Sequence, residues 1–154
     1  MIIKNAQAGI MLKDVIVSDL VVKNQLAKLE KFDENEQTLD VDYNIINIDE
    51  NEHEYFAEIE LKTRITIKEN RKIYFDLKVT HLGFFGAPKE EYSAQLDFYK
   101  AIELNGLASL ISFARANIGS ISGLIFCQGN IMIPMINVFK LNKIKEESKN
   151  INKD

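Results

Sequence analysis

Residues 104 to 139 carry one charged side chain, Arg115, in a chain in which 27% of residues are charged. Leu104, Leu107, Ile111, Ala114, Ile118, Ile121 and Ile125 recur at three- and four-residue spacing, which predicts a helix from about Tyr92 to Ile125. Ser109, Ser112, Asn117, Ser120 and Ser122 interrupt the apolar residues, so membrane insertion is not expected. A second row, Ala108, Ser112, Ala116 and Ser120, is small at every fourth position, and Gly119 and Gly123 extend it. Each glycine costs roughly 1 kcal/mol of helix propensity relative to alanine, which tight packing would offset. A helix with two such faces needs two covers. One sheet supplies one, so the small row is the expected subunit interface.

The first half of the chain alternates. Ile59, Leu61, Thr63, Ile65 and Ile67 are apolar or β-branched, with Glu60, Lys62, Arg64 and Thr66 between them. Ile73, Phe75, Leu77 and Val79 repeat the pattern after the polar turn Glu69-Asn70-Arg71-Lys72, which reads as an antiparallel hairpin. Leu39, Val41, Tyr43 and Ile45 form an earlier strand that ends in the turn from Asp49 to His53. A first strand is expected within Val15 to Lys23, with a bulge where Leu20-Val21-Val22 breaks the alternation. The predicted fold is α+β: a four-stranded antiparallel β-meander with one long helix on one face and a short C-terminal helix starting near Asn137. One domain spans the chain, with a core from about residue 10 to 142 and a charged, solvated tail at 143 to 154.

The chemistry of enzymes is thin here. No phosphate-binding glycine loop is present, so no nucleotide or other cofactor is expected. His53 and His81 lie far apart, and Cys127 is the only cysteine, so neither a metal site nor a disulfide is expected. Glu50, Glu52, Glu54, Glu58 and Glu60 read as a solvated acidic face. A formal charge of −4 argues against nucleic acid as a partner. The start, Met1-Ile2-Ile3-Lys4-Asn5-Ala6, shows no charged leader before a long apolar run, so a cytoplasmic protein is the expectation. The stretch from Phe126 to Met135 is apolar without helical signal, which suits a binding surface. Phe84-Phe85, between Gly83 and Gly86, suits either core or the floor of an apolar groove.

Three local patterns in order resemble the bacterial protein-export chaperone SecB. Val79-Thr80-His81-Leu82-Gly83-Phe84-Phe85 resembles the end of that family's last strand. Phe113-Ala114-Arg115 resembles the aromatic-Ala-Arg of its long helix, with Ser112 in place of a proline. Ile133-Pro134-Met135-Ile136-Asn137-Val138-Phe139-Lys140-Leu141 resembles its proline-containing run before the last helix. The resemblance implies a homotetramer, a dimer of dimers with long helices between sheets. It also implies an ATP-independent holdase for unfolded polypeptides in protein export. Client binding would use Leu82, Phe84, Phe85, Phe126, Ile131, Met132, Ile133 and Met135, and the oligomer interface Ala108, Ser112, Ala116, Gly119, Ser120 and Gly123. In the family, acids on the outer sheet face engage the export motor SecA; Asp19, Asp40, Asp42, Glu58 and Glu60 are the candidates here. Lys23 and Lys78 stand where acids are expected, and Phe126-Cys127-Gln128-Gly129 departs from the family's turn. A chaperone dedicated to one client, such as an antitoxin, and an oligomeric adaptor for one folded partner are the alternatives.

Overall fold

The computed structural model describes residues 9–28, 36–126 and 131–151. Strands β1 (Met11–Asn24), β2 (Glu36–Glu50), β3 (Glu54–Glu69) and β4 (Lys72–Pro88) form one antiparallel sheet. Asn70 and Arg71 both adopt positive φ, 48° and 68°, in the tight turn between β3 and β4, at the position the sequence predicts. The β2–β3 turn is held by the Asn51 side chain, whose Oδ1 accepts from the backbone N–H groups of His53 and Glu54, both at 2.8 Å.

The expected meander holds for β2, β3 and β4, but β1 does not lie beside β2. It crosses to the far edge, giving the order β1-β4-β3-β2. This leaves the two strands most buried on the helix side, β3 and β4, in the centre, with half-exposed strands as flanks. The irregularity in β1 also moves. The register shifts at Leu12/Asp14 and Val17/Asp19, not at Leu20 to Val22. Ser18 is left out of the pairing, and its hydroxyl donates to the Thr80 carbonyl at 3.3 Å. Skipping one residue returns Leu20 and Val22 to the face of Val15 and Val17.

One helical rod packs on that face. It consists of α1 (Gln95–Ala101), a π-helical segment (Ile102–Gly106) and α2 (Leu107–Ile125). Phe98, Ile102, Leu107, Leu110, Ile111 and Ala114 meet Tyr55, Ala57, Ile59, Leu61 and Phe85 in one cluster. Ile118 meets Ile65, Phe75, Leu77 and Val79 in a second. The two surfaces approach closely at Gly83, where a Cβ would stand 2.9 Å from the Phe85 ring and 3.0 Å from Leu110.

α3 (Val138–Ile151) begins where the C-terminal helix is expected, next to Asn137, and runs on into the charged segment, whose side chains are mostly exposed from 143 to 148. Asn137 Oδ1 accepts from the Lys140 N–H at 3.1 Å, a side-chain cap for the first turn. Val138 and Leu141 pack on the first cluster. Lys145 reaches β2, donating to the Asp42 carboxylate and the Tyr43 carbonyl, with its ammonium 4.6 Å from the centre of the Tyr43 ring. The Tyr43 hydroxyl donates to Asn142 Oδ1 at 2.8 Å. Burial and the neighbouring Glu103 carboxylate push that hydroxyl's pKa up and keep it neutral.

Candidate functional site

The segment after α2 returns along the same helix and is tied to it by two polar side chains. Ser122 is buried; its hydroxyl donates to the Gly119 carbonyl at 3.0 Å and accepts from the Ile131 N–H at 2.9 Å. Arg115 donates through Nε to the Ile133 carbonyl at 3.0 Å and lies 3.2 Å from the Met135 sulfur. These bonds turn Ile131 and Ile133 into the second core cluster and leave Met132 and Met135 outside, 80% and 84% exposed.

A groove of about 660 Å3 lies between this segment and α2. One wall is Ile131, Met132 and Ile133; the other is Ser112, Arg115, Ala116, Gly119 and Ser120. Residues expected for client binding and residues expected for assembly therefore share one surface. The serines of that wall present little free polarity. Ser112 and Ser120 each donate to a carbonyl one turn earlier, on Ala108 and Ala116, at 2.9 and 3.0 Å. Ala108 and Gly123 continue the exposed row beyond the groove. Only 28% of the most apolar stretch of the rod is buried within the protomer, although its length and composition would suffice to cross a membrane. Phe113 and Leu124 are among the exposed apolar side chains, Leu124 at 90%.

The rest of the expected groove is dispersed. Phe85 is 2% exposed and belongs to the core. Phe126 packs against Phe75, with ring centres 5.3 Å apart. Leu82 and Phe84 lie on the opposite, outer face of the sheet, because they alternate with the buried His81, Gly83 and Phe85. Cys127, Gln128 and Gly129 lie outside the described residues.

Asp19, Asp40, Asp42, Glu58 and Glu60 share the outer face, interleaved with cations. Lys62 pairs with Glu60 at 2.8 Å, and Lys145 with Asp42. Arg64 makes a two-pronged pair with Asp76, Nε to Oδ1 at 2.9 Å and Nη2 to Oδ2 at 3.0 Å. That bonding holds the Asp76 carboxyl below its ordinary range. Lys78 lies opposite Arg64, and Lys23 opposite Asp76. Sequence reading gave a role to the acids and the two departing lysines, but none to Lys62, Arg64 and Asp76, although strand parity puts all of them on one face. Among the described residues no group of His, Cys, Asp and Glu could hold a metal ion.

No protein-family model and no curated protein sequence matches the chain. Two solved structures show similarity to it. One is a SecB-like chaperone of Mycobacterium tuberculosis in complex with a ChAD peptide from the HigA1 antitoxin. It has 10% sequence identity and a TM-score of 0.59, over 86% of this chain and 95% of that one. The other is a protein of unknown function from Streptococcus agalactiae, with 10% identity and a TM-score of 0.43, over 81% of this chain and 96% of that one. The four-stranded antiparallel sheet with its long helix and C-terminal helix is the fold of a SecB-like chaperone.

Proposed function

We propose that this protein is an ATP-independent chaperone that binds non-native polypeptide along the groove between α2 and the segment from Ile131 to Met135. The observation that carries the reading is the exposure of Met132 and Met135 beside an open wall of small side chains. Unfolded clients expose apolar side chains, and burying them gains roughly 25 cal/mol per Å2. Burial is non-directional and methionine is flexible, so varied clients fit one groove. Client binding by a chaperone of the same fold supports this class over an enzyme.

Assembly into a homotetramer, a dimer of dimers in the cytoplasm, belongs to the same proposal. The helix row supports it. So does β1, an edge strand paired only with β4 among the described residues, with Val17, Leu20 and Val22 exposed on the helix side. Light scattering together with aggregation of a reduced, unfolding client tests both parts. The expected result is a mass above one subunit and suppression near one oligomer per client without nucleotide. A monomer that leaves several clients aggregating unchanged overturns the reading.

A second reading is a chaperone dedicated to one client, such as an antitoxin. It is favoured by the outer face, where Lys62, Arg64, Lys78 and Lys145 offset the acids that would engage the export motor SecA. Suppression confined to one client, with no SecA association at physiological salt, distinguishes it from the export role.

A further inference from the structure

We propose that Met132 and Met135 form a redox-responsive modification site, at which a peroxide converts the thioethers to sulfoxides and the new oxygen of Met135 bonds to Arg115. Both side chains stand in solvent, so a small oxidant reaches them without any opening of the fold. Arg115 sets the pair apart from other exposed methionines. It is the one charge between residues 104 and 139, and among the described residues no carboxylate pairs with it. Its Nε donates to the Ile133 carbonyl, while its Nη1 has only the Met135 sulfur, at 3.2 Å. A thioether is a weak acceptor, so a charged donor is under-used beside the one atom that oxidation changes.

Oxidation supplies the acceptor. The sulfur attacks one peroxide oxygen, and the S–O bond forms as the O–O bond breaks. An electron pair passes from sulfur to the departing oxygen, which takes the proton of the first and leaves as water. The sulfoxide oxygen is a strong acceptor beside a guanidinium N–H, so the bond to Arg115 strengthens and holds the segment from Ile131 to Met135 more firmly to α2. At the same time two flexible apolar side chains at the groove become polar. A client's apolar side chain then meets a group that has to shed its water, so binding weakens. The core is untouched, since the buried residues of the segment are Ile131 and Ile133. The effect on clients rests on the proposed role of the groove. A sulfoxide reductase drawing electrons from a dithiol, which ends as the disulfide, restores the thioether and releases the oxygen as water.

The test is hydrogen peroxide on the full chain, with oxygen uptake located by peptide mass spectrometry. Binding of a labelled, reduced and carboxymethylated protein, which stays unfolded, is measured before and after. Oxidation of Met132 and Met135 is expected to weaken that binding about tenfold, to leave the far-ultraviolet circular dichroism unchanged, and to be reversed by the reductase. Amide exchange from Ile131 to Met135 should slow on oxidation in the natural chain and not in Arg115→Ala. In the double variant Met132→Leu, Met135→Leu, peroxide still reaches Met11, exposed on β1. There the affinities before and after should match, whatever affinity the variant itself has. Undiminished binding after both methionines are oxidised, an equal loss in the double variant, unfolding on oxidation, or exchange that does not slow would each overturn the proposal. A reduced protein that binds no unfolded chain overturns the chaperone function instead, and exchange alone then decides the Arg115 bond.

Discussion

Arg115, the one charge in the apolar stretch, donates through Nε to the backbone carbonyl of Ile133 at 3.0 Å. A guanidinium that bonds a carbonyl and touches the Met135 sulfur acts as a latch, holding an irregular segment against its helix. Arg115→Ala is expected to cost about 1.5 kcal/mol, the scale of a hydrogen bond to a charged group. It should also raise amide exchange from Ile131 to Met135 while the sheet stays protected. Unchanged exchange in that segment would show that burial of Ile131 and Ile133 holds it without the latch. Arg115→Lys should behave like the alanine variant, since an ammonium lacks the planar fork.

The sheet and the rod were legible because their periods are 2 and 3.6, and each period needs only the residue's own neighbours in sequence. Strand order was not, since alternation in β1 says which side chains share a face and nothing about which strand lies beside it. The α2 groove was half legible. Ser112, Ala116, Gly119 and Ser120 announced themselves by spacing, and Met132 by its place in an apolar loop. Their meeting depends on Ser122 and Arg115 turning the chain back, and hydrogen bonds of that kind leave no periodic trace. Phe84 and Phe85 show the cost of the gap: adjacent residues in a strand point to opposite faces, so only Phe85 joins the core.

A methyl group added at Gly119 meets nothing within 4 Å. Gly119→Ala should therefore stabilise the protomer by about 1 kcal/mol through helix propensity alone, read as a higher urea midpoint. Ala116→Trp fills the same open wall. It should preserve the far-ultraviolet circular dichroism and lower either the mass by light scattering or the affinity for unfolded client. If both stay unchanged, neither assembly nor client binding uses this wall.

His81 is fully buried between Val17 and Leu61 on the neighbouring strands. Its Nε2 lies 3.3 Å from Asn117 Nδ2 on α2, and among the described residues its Nδ1 has no hydrogen-bond partner. Burial holds the imidazole pKa below its ordinary 6.5. The native state stays neutral while the unfolded chain takes up a proton as pH falls through 6.5. Stability is therefore full above that value and declines as pH drops from it toward the depressed folded pKa. The urea midpoint should fall between pH 7.5 and 5.5, and fall less in His81→Gln, which keeps an acceptor for Asn117. Asp76 does not confuse this window. Its lowered pKa contributes stability above its ordinary 3.8 that is lost only as pH falls below that value. An identical slope in the variant would remove His81 as the cause.

The polar clasp of α3 on β2 supplies the remaining test. Tyr43 is buried and its hydroxyl meets Asn142, while Lys145 binds the strand on either side of it. Asn142→Ala leaves the Tyr43 hydroxyl only the long contact to Glu103 at 3.4 Å, and should cost about 1 kcal/mol. Lys145→Met keeps the stem over the ring and removes the ammonium, so it separates packing from charge. The expected outcome is that either variant raises proteolysis within α3 without changing cleavage of the sheet. Their double variant should be less destabilised than the sum, because both bonds hold the same helix to the same strand. Strict additivity, measured by urea denaturation, would mean that the two side chains hold α3 independently, and that the helix remains docked through Val138 and Leu141 when either one is lost.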